Sequence, residues 1–290
     1  VVLRAASLYE AAFAVVARRY AAGDALGAII ALTLWGGFAS TVFIPLIQLL
    51  IDVWGWRGAL AVLGLVNILL CAGLYGWAIR PSRDKPQPQS APASSRTTGA
   101  MASPVFWALA LAFTAHAAAF TAFTFHLYPL LLERGFSTSA VVVAMALIGP
   151  AQVGGRIAVT MLAAKASMRR IGSWVVVGFP LGFAALIWLP PSFLLIMAVT
   201  VLYGAANGIL TIVRGAAVPE MLSKQNYGAI SGAMNTPATL ARALSPLAAA
   251  ALWSMSGSYD PVLLAILAGA VVLAVGFWSA ALLSRRVVVS

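Results

Sequence analysis

The sequence predicts an all-α membrane protein, a polytopic bundle of about nine transmembrane helices. Hydrophobic residues make up 62% of the 290 residues and charged residues only 9%, whereas a soluble domain averages about 25% charged residues. Most apolar runs are also longer than the roughly 18 residues that indicate a membrane span. Because backbone polar groups in hydrocarbon must be bonded within their own segment, these long runs are expected to be helices rather than strands.

Nine apolar runs follow one another, separated by charged residues or by proline and glycine. Their approximate bounds are 1–16, 25–50, 59–79, 105–132, 139–163, 174–189, 193–213, 229–253 and 262–283. The longest polar gap, residues 80–103, is rich in Pro, Ser and Gln, which is typical of a flexible, solvated linker. We therefore predict a partial N-terminal half of three helices (1–79), a linker (80–103), a six-helix half (104–286) and a short tail (287–290).

Basic residues in the connections predict the orientation of the chain. Cytoplasmic connections of membrane proteins carry an excess of Lys and Arg. In one set of connections only Arg57 and Arg134 are basic; the other set holds Arg18, Arg19, Arg80, Arg83, Lys85, Arg96, Lys165, Arg169, Arg170, Arg214, Lys224, Arg285 and Arg286. The linker and the C-terminus are therefore predicted to be cytoplasmic. The net charge of +11 reflects topology rather than a nucleic-acid patch.

Composition also narrows the setting and the chemistry. Arginine outnumbers lysine and alanine is abundant, which is typical of a GC-rich bacterial genome, so we expect a bacterial inner membrane. The chain opens without a methionine or a signal-peptide pattern, as if it entered midway through a helix. Cys71 is the single cysteine, and the sequence contains no Walker-type loop or metal-ligand cluster. We expect no cofactor, no bound metal, no catalysis and no ATP-driven transport.

Two arginines lie inside apolar runs. An ionisable group at the centre of a span costs at least about 2.5 kcal/mol, so it usually faces a cavity or a partner. Arg242 lies halfway along the eighth run, where its fork of donors suits a substrate carboxylate or a structural bond to helix carbonyls. Arg156, next to Gly155, is closer to the cytoplasmic end, where a structural role is favoured. Arg214 is interpreted as a cytoplasmic anchor.

Other polar residues in the runs are candidates for a site. Glu10 is a candidate proton carrier, or it forms a salt bridge with Arg4 or Arg18. His116 could titrate in the useful pH range or stay neutral and bonded to a carbonyl. Asn207 and Asn235 are candidate substrate contacts, although most such residues bond neighbouring helices. His126 is interpreted as interfacial, and helix packing explains Gly154, Gly155, Gly204, Gly208 and Gly232. An aromatic cavity wall or, more simply, lipid contact explains Phe120, Phe123, Phe125 and Tyr128.

Three motifs occur in a fixed order along the chain. Gly55 to Arg57 reads Gly-Trp-Arg; Gly154-Gly155-Arg156 is followed by Lys165 and by Met-Arg-Arg-Ile-Gly at 168–172; and the run 228–232, Gly-Ala-Ile-Ser-Gly, precedes Ala-Arg-Ala-Leu-Ser-Pro at 241–246. Over all 290 residues the chain resembles the major facilitator superfamily, whose twelve helices form two halves joined by a long cytoplasmic loop. The resemblance implies an MFS-like fold in which family helices 4–12 are present and about the first three are missing.

The resemblance also implies a mechanism and a structural motif. Such proteins bind substrate near the bilayer midplane between two halves that rock to give alternating access. Gly155, Arg156, Arg169 and Arg170 match the family's gating loop between helices eight and nine. Around 159–164 this loop has apolar and small residues instead of the family's acidic residue, and residues 36–45 differ from the antiporter signature.

Together these features predict a secondary transporter of a small solute, driven by an ion or proton gradient. Mainly positive midplane charge favours anionic substrates, with Arg242, His116, Asn207 and Asn235 as candidate contacts and Glu10 and His116 as candidate proton carriers. The alternatives are efflux of drugs or toxic compounds and a fragment or sensor that transports nothing. A membrane enzyme is disfavoured because the polar loops are short and poor in carboxylates and histidines. We expect a monomer in the lipid bilayer, with no nucleic-acid partner.

Overall fold

The structure is a computed structural model that describes residues 12, 16, 22–78, 101–162, 166–223 and 227–287. Within these ranges the secondary structure is helical and contains no strand, which confirms the predicted all-α class. The predicted first run, 1–16, lies outside the described residues except for Ala12 and Val16, and so does the linker from 80 to 100.

The described helices fall on either side of the linker. Before it are α1 (Ala22–Val66), a π-helical stretch (Asn67–Cys71) and α2 (Ala72–Ala78). After it are α3 (Pro104–Glu133), α4 (Thr138–Leu162), α5 (Met168–Trp188), α6 (Phe193–Met221), α7 (Tyr227–Ser256) and α8 (Asp260–Val287). The bundle has two ends, here called the Arg134 end and the Arg169 end after residues that lie there.

Helix α1 contains a kink where the sequence predicts a connection between two runs. Gly55 has φ 65° and ψ 174°, a backbone conformation that glycine adopts without steric cost. Trp54 and Trp56 beside it are 58% and 57% exposed, and the Arg57 guanidinium lies 4.2 Å from the Trp56 ring centroid. Exposed tryptophans at a helix turn are typical of a membrane interface. The predicted connection is therefore a sharp bend at one glycine.

Six helical segments of the described ranges are long and apolar enough to span a membrane. They are Leu49–Leu74, Pro104–Glu133, Thr138–Met161, Met168–Trp188, Phe193–Met221 and Asp260–Ser284. Helix α7 is 30 residues long but is not among them. Its Arg242, Asn235 and two internal prolines, Pro237 and Pro246, make it less apolar than its neighbours. A helix with polar groups can still cross a bilayer where those groups face a cavity or a partner, and Arg242 is half-buried.

Helix α3 is central to the second half of the chain. Helices α7 and α8 both pack along it, α8 also packs on α5, and α6 packs on α4 and α5. Helix α1 contacts α4 and α6, which connects the segment before the linker to the bundle after it. The interior is filled by side chains that are almost fully buried, including Phe106, Phe113, Phe123, Phe183 and Phe277.

Glycines allow α4 and α6 to cross closely. A Cβ on Gly155 would lie 2.5 Å from the Ala205 carbonyl oxygen, and one on Gly204 would lie 2.7 Å from the Ile148 carbonyl oxygen. A Cβ on Gly208 would likewise collide with the Gln152 backbone carbonyl. The predicted packing role is confirmed for these three glycines, since close backbone approach in lipid requires small residues. For Gly154 and Gly232 it stays a prediction, since no described atom lies within 4 Å of an added Cβ.

Candidate functional site

Polar residues of α3 and α6 meet in the bundle interior. The Asn207 side chain, on α6, lies within hydrogen-bonding reach of the His116 ring, on α3. The ring packs edge-on against Phe179, with 5.2 Å between centroids, and lies 5.7 Å from Phe120. His116 Nε2 is buried and has no hydrogen-bond partner. One ring nitrogen is therefore available in this interior to a ligand or a proton.

Two guanidinium groups act on this histidine. Both Arg214 and Arg242 lie within electrostatic range of His116. Arg242 lies midway along α7, as predicted, and it is half-buried. The structure thus brings together three of the four predicted substrate contacts: Arg242, His116 and Asn207.

The interpretation of Arg214 as an anchor at the cytoplasmic surface is wrong. Helix α6 continues to Met221, eight residues beyond the predicted end at 213, so Arg214 lies within the helix. Its Cζ lies 5.8 Å from the Phe113 ring centroid, inside the bundle. The helix continues because the Gly215 carbonyl, deprived of its backbone donor by Pro219, accepts a hydrogen bond from the Tyr227 hydroxyl at 3.2 Å. This bond between α7 and α6 replaces the backbone hydrogen bond that Pro219 cannot donate. The local sequence of α6 does not reveal it.

An aromatic cluster surrounds Tyr203 beside His116. The Tyr203 ring stacks on Phe120 with centroids 5.6 Å apart and meets Phe123 edge-on at 4.8 Å. Its hydroxyl lies 3.0 Å from Thr124 Oγ1. The predicted lipid contact is wrong for Phe120 and Phe123, which face the interior. Phe125 is 70% exposed, as lipid contact requires. It follows Phe123 by two positions and Phe120 by five, so it points to another face of the helix.

Asn235 lies apart from His116, one helix turn from Ser231 on α7. Its Oδ1 atom is buried and has no hydrogen-bond partner, and the same holds for Ser231 Oγ. Both residues line a small cavity that Arg214 also lines. The structure therefore associates Asn235 with Arg214 rather than with the other predicted contacts.

Gly155 and Arg156, from the predicted gating motif, lie where α4 crosses α6. Arg156 is only 4% exposed, and its Nε donates a hydrogen bond to the Gly208 carbonyl at 3.4 Å. A buried guanidinium that bonds a backbone carbonyl joins two helices. This position fits the structural interpretation, and a gating role stays a prediction.

Arg169 and Arg170 lie in the first turn of α5, where positive charge opposes the helix dipole. A carboxylate offsets them: Glu220, near the end of α6, accepts hydrogen bonds from the backbone N–H groups of Met168 (2.8 Å) and Arg169 (3.2 Å). Arg169 Nη1 also donates to Ser284 Oγ at 3.4 Å. The loop before this motif holds no acidic residue, and the carboxylate comes instead from a different helix, α6.

At the Arg134 end, α3 is bonded to the turn between α7 and α8. Glu133 accepts hydrogen bonds from Trp253 Nε1 (3.0 Å) and the Tyr259 backbone N–H (2.6 Å). Arg134 pairs with Asp260 at 2.6 Å. Burial, and then the nearby Glu133 carboxylate, raise the pKa of Tyr259.

His126 belongs to the same group of contacts. Its Nδ1 lies 3.1 Å from the Tyr259 hydroxyl and its Nε2 lies 3.0 Å from the Pro246 carbonyl oxygen. Because a carbonyl only accepts, Nε2 carries the proton. His126 therefore joins α3 to α7 and to the α7–α8 turn.

Glu10, the other predicted proton carrier, lies outside the described residues. Both its proton-carrying role and its salt bridge with Arg4 or Arg18 stay predictions.

The ordered motifs, the helical bundle and the polar interior agree with a comparison to known families. The family model described as Major Facilitator Superfamily matches residues 3–246. The chain belongs to the major facilitator superfamily. It is accordingly a multi-pass membrane protein, and the resemblance drawn from its motifs is confirmed. In this superfamily, substrate sites lie near the bilayer midplane, where the internal repeats meet.

The chain is also similar to a curated human protein, monocarboxylate transporter 11. The two are 28% identical over 219 residues, which is 70% of this chain and 45% of the relative. This chain therefore spans about half the length of the curated relative that it matches.

Proposed function

We propose that this superfamily member belongs to a secondary transporter that carries a small organic anion, with a monocarboxylate as the favoured substrate class. Transport occurs by alternating access around the interior that α3, α6 and α7 enclose. The observation that carries the proposal is the position of Arg214 and Arg242 around His116. The named activity of the human relative supports the same substrate class.

The chemistry of this interior suits a carboxylate. Guanidinium groups bind carboxylates through paired, charge-assisted hydrogen bonds. Arg242 supplies such a group from α7, and the partnerless Nε2 of His116 can donate when protonated. The Asn207 side chain lies within reach of the histidine ring from α6. The aromatic cluster next to His116 offers an apolar wall for the short carbon chain of the substrate.

Proton coupling is part of the proposal. His116 is the candidate carrier within the described residues, and Glu10 is the second candidate. A carboxylate that binds beside His116 would favour protonation of the ring, so that substrate and proton would move together. Transport that is indifferent to a pH gradient in both the unaltered protein and His116→Gln would rule out this part.

Uptake into proteoliposomes tests the substrate class. The protein is expressed from its full reading frame and offered radiolabelled short monocarboxylates, dicarboxylates and the neutral amides of the monocarboxylates. We expect saturable uptake of at least one monocarboxylate, competition by other monocarboxylates, and no competition by the amides. Equal competition by acids and amides would contradict anion recognition.

A second candidate function is efflux of apolar compounds, because the rings of Phe120, Phe179 and Tyr203 lie directly beside His116. This function predicts that neutral aromatic compounds are exported and that Arg242→Ala has no effect on export. The monocarboxylate proposal predicts that neutral aromatic compounds are not exported and that Arg242→Ala impairs transport.

We also propose that the linker and the C-terminus face the cytoplasm of a bacterial cell. The distribution of Lys and Arg between the two sets of connections supports this orientation.

A further inference from the structure

Helices α6 and α7 enclose a small cavity near the Arg169 end. Its volume is about 20 Å³, and residues spaced along one face of each helix line it: Arg214, Gly215 and Val218 from α6, and Tyr227, Ser231, Met234 and Asn235 from α7. His116, Asn207 and Arg242 are not among the lining residues. This cavity therefore adjoins the proposed substrate site, and Arg214 is common to both.

The cavity has a fixed wall. Tyr227 is buried, and its hydroxyl donates to the Gly215 carbonyl. The side chain is thereby held across the space between the two helices. Gly215 contributes no side chain at this point, so the space is kept open beside a fixed ring.

Two polar atoms at the cavity lack partners. Ser231 is 8% exposed, and neither its Oγ nor Asn235 Oδ1 makes a hydrogen bond. Buried polar groups in proteins are almost always paired, so two unpaired ones at a cavity indicate that a water or an ion occupies it. A hydroxyl can donate, and half a turn of the Asn235 carboxamide would present its NH₂ group instead of its oxygen.

We propose that this cavity is a binding site for a monovalent anion of chloride size. The described residues that line it include one guanidinium and no carboxylate, which favours an anion over a cation. Its volume of about 20 Å³ exceeds the roughly 10–15 Å³ that one water-sized particle needs, which is enough for a single small ion. Arg214 and Arg242 are both positively charged and both lie within electrostatic range of His116. A bound anion would reduce the repulsion among these groups. The site goes beyond the proposed function, because its ligand is not the transported solute.

Halide titration of the purified protein tests the proposal. Thermal unfolding is followed while sodium chloride or sodium bromide replaces sodium isethionate, a sulfonate salt without a carboxylate, at constant ionic strength. We expect a saturable rise in Tm with either halide. In Ser231→Ala the halide concentration at half effect should rise about tenfold, as expected for the loss of one hydrogen bond to a charged group.

Ser245→Ala is the matched control. Ser245 is another α7 serine whose hydroxyl is buried without a partner, but it lines a different cavity. Its halide dependence should equal that of the unaltered chain.

Anomalous scattering from crystals grown in bromide provides a test that needs no variant. A bromide peak between Arg214, Ser231 and Asn235 is the expected result. An ordered water there without a bromide peak, together with equal Tm in halide and isethionate, would overturn the proposal. Because monocarboxylate uptake is measured separately, either proposal can fail without the other.

Discussion

The Glu220 carboxylate of α6 accepts a hydrogen bond from the backbone N–H of Met168, the first residue of α5, at 2.8 Å. The first N–H groups of a helix have no partner within the helix, and a negative charge near them is favoured by the helix dipole. Ser167, the N-cap residue, satisfies the N–H of Arg170 from within its own segment. The start of α5 therefore depends on a residue from a neighbouring helix.

Replacement of this cap should lower stability. We expect Glu220→Ala to reduce the free energy of unfolding by about 1 kcal/mol, the usual cost of a lost N-terminal cap. Thermal unfolding in detergent or lipid nanodiscs measures the change. Arg170→Ala is the control, because Arg170 is exposed in the same turn and its removal leaves the cap intact. An unchanged Tm in Glu220→Ala would show that the contact contributes little.

The crossing of α4 and α6 should not tolerate a methyl group. A Cβ at Gly208 would lie 2.1 Å from the Gln152 carbonyl oxygen, a contact that requires movement of the backbone. Gly208→Ala should therefore destabilise the protein by about 1–3 kcal/mol or prevent its accumulation. Gly154→Ala, on the opposing helix, should be tolerated because no described atom lies within 4 Å of its Cβ position. The level of monodisperse protein after extraction compares the two variants, and equal levels would contradict this crossing.

The contacts of Tyr259 predict a pH dependence of stability. Its pKa is raised in the folded protein, so folding favours the neutral phenol. The resulting stabilisation is complete below the unfolded value of about 10 and is lost as pH rises through the folded value. Tm should thus fall above about pH 10 more steeply in the unaltered protein than in Tyr259→Phe. Parallel curves for the two proteins would show that this group does not contribute.

Cysteine labelling tests the predicted orientation. In a Cys71→Ala background, Ser90→Cys and Ser290→Cys should react with a membrane-impermeant thiol reagent only after cells are opened. Ser137→Cys, in the connection between α3 and α4, should react in intact cells. Labelling of Ser90→Cys and Ser137→Cys from the same side would be incompatible with α3 crossing the membrane.

Much of the fold could be predicted because long apolar runs leave little choice in a bilayer. The helix class and the bend near Gly55 follow from local composition and glycine conformation. The ends of α5 and α6 could not be predicted in the same way. The Glu220 carboxylate accepts hydrogen bonds at the start of α5, and the Tyr227 hydroxyl donates one near the end of α6. Apolarity alone does not encode such pairs.

The candidate site was predictable only in part. His116, Asn207 and Arg242 could be predicted because a polar side chain in an apolar run is costly in lipid unless it faces a cavity or a partner. Arg214 was missed as an interior residue because it follows directly after an apolar run, where a surface position is the simpler interpretation. The direction in which Phe120 and Phe123 point depends on how α3 packs against α5 and α6, and α3 is apolar on nearly every face.

Proton coupling makes a separate prediction about His116. Uptake by the unaltered protein should increase when the pH gradient carries protons in the direction of the substrate, whereas His116→Gln should lose this dependence. His126→Gln is the control, because His126 lies among the contacts at the Arg134 end and away from the polar interior. An equal loss in both variants would show that the effect is structural rather than specific to His116.

The most direct test of the proposed substrate site is monocarboxylate uptake by Arg242→Ala, compared at matched protein levels with Arg286→Ala, a change near the end of α8 and outside both the site and the gating motif. The proposed site predicts that Arg242→Ala loses at least about tenfold in uptake rate at subsaturating substrate, since one charge-assisted contact contributes about 1.5 kcal/mol or more, while Arg286→Ala is unaffected. Uptake that is the same in both variants would contradict the assignment of Arg242, and with it the site between α3, α6 and α7.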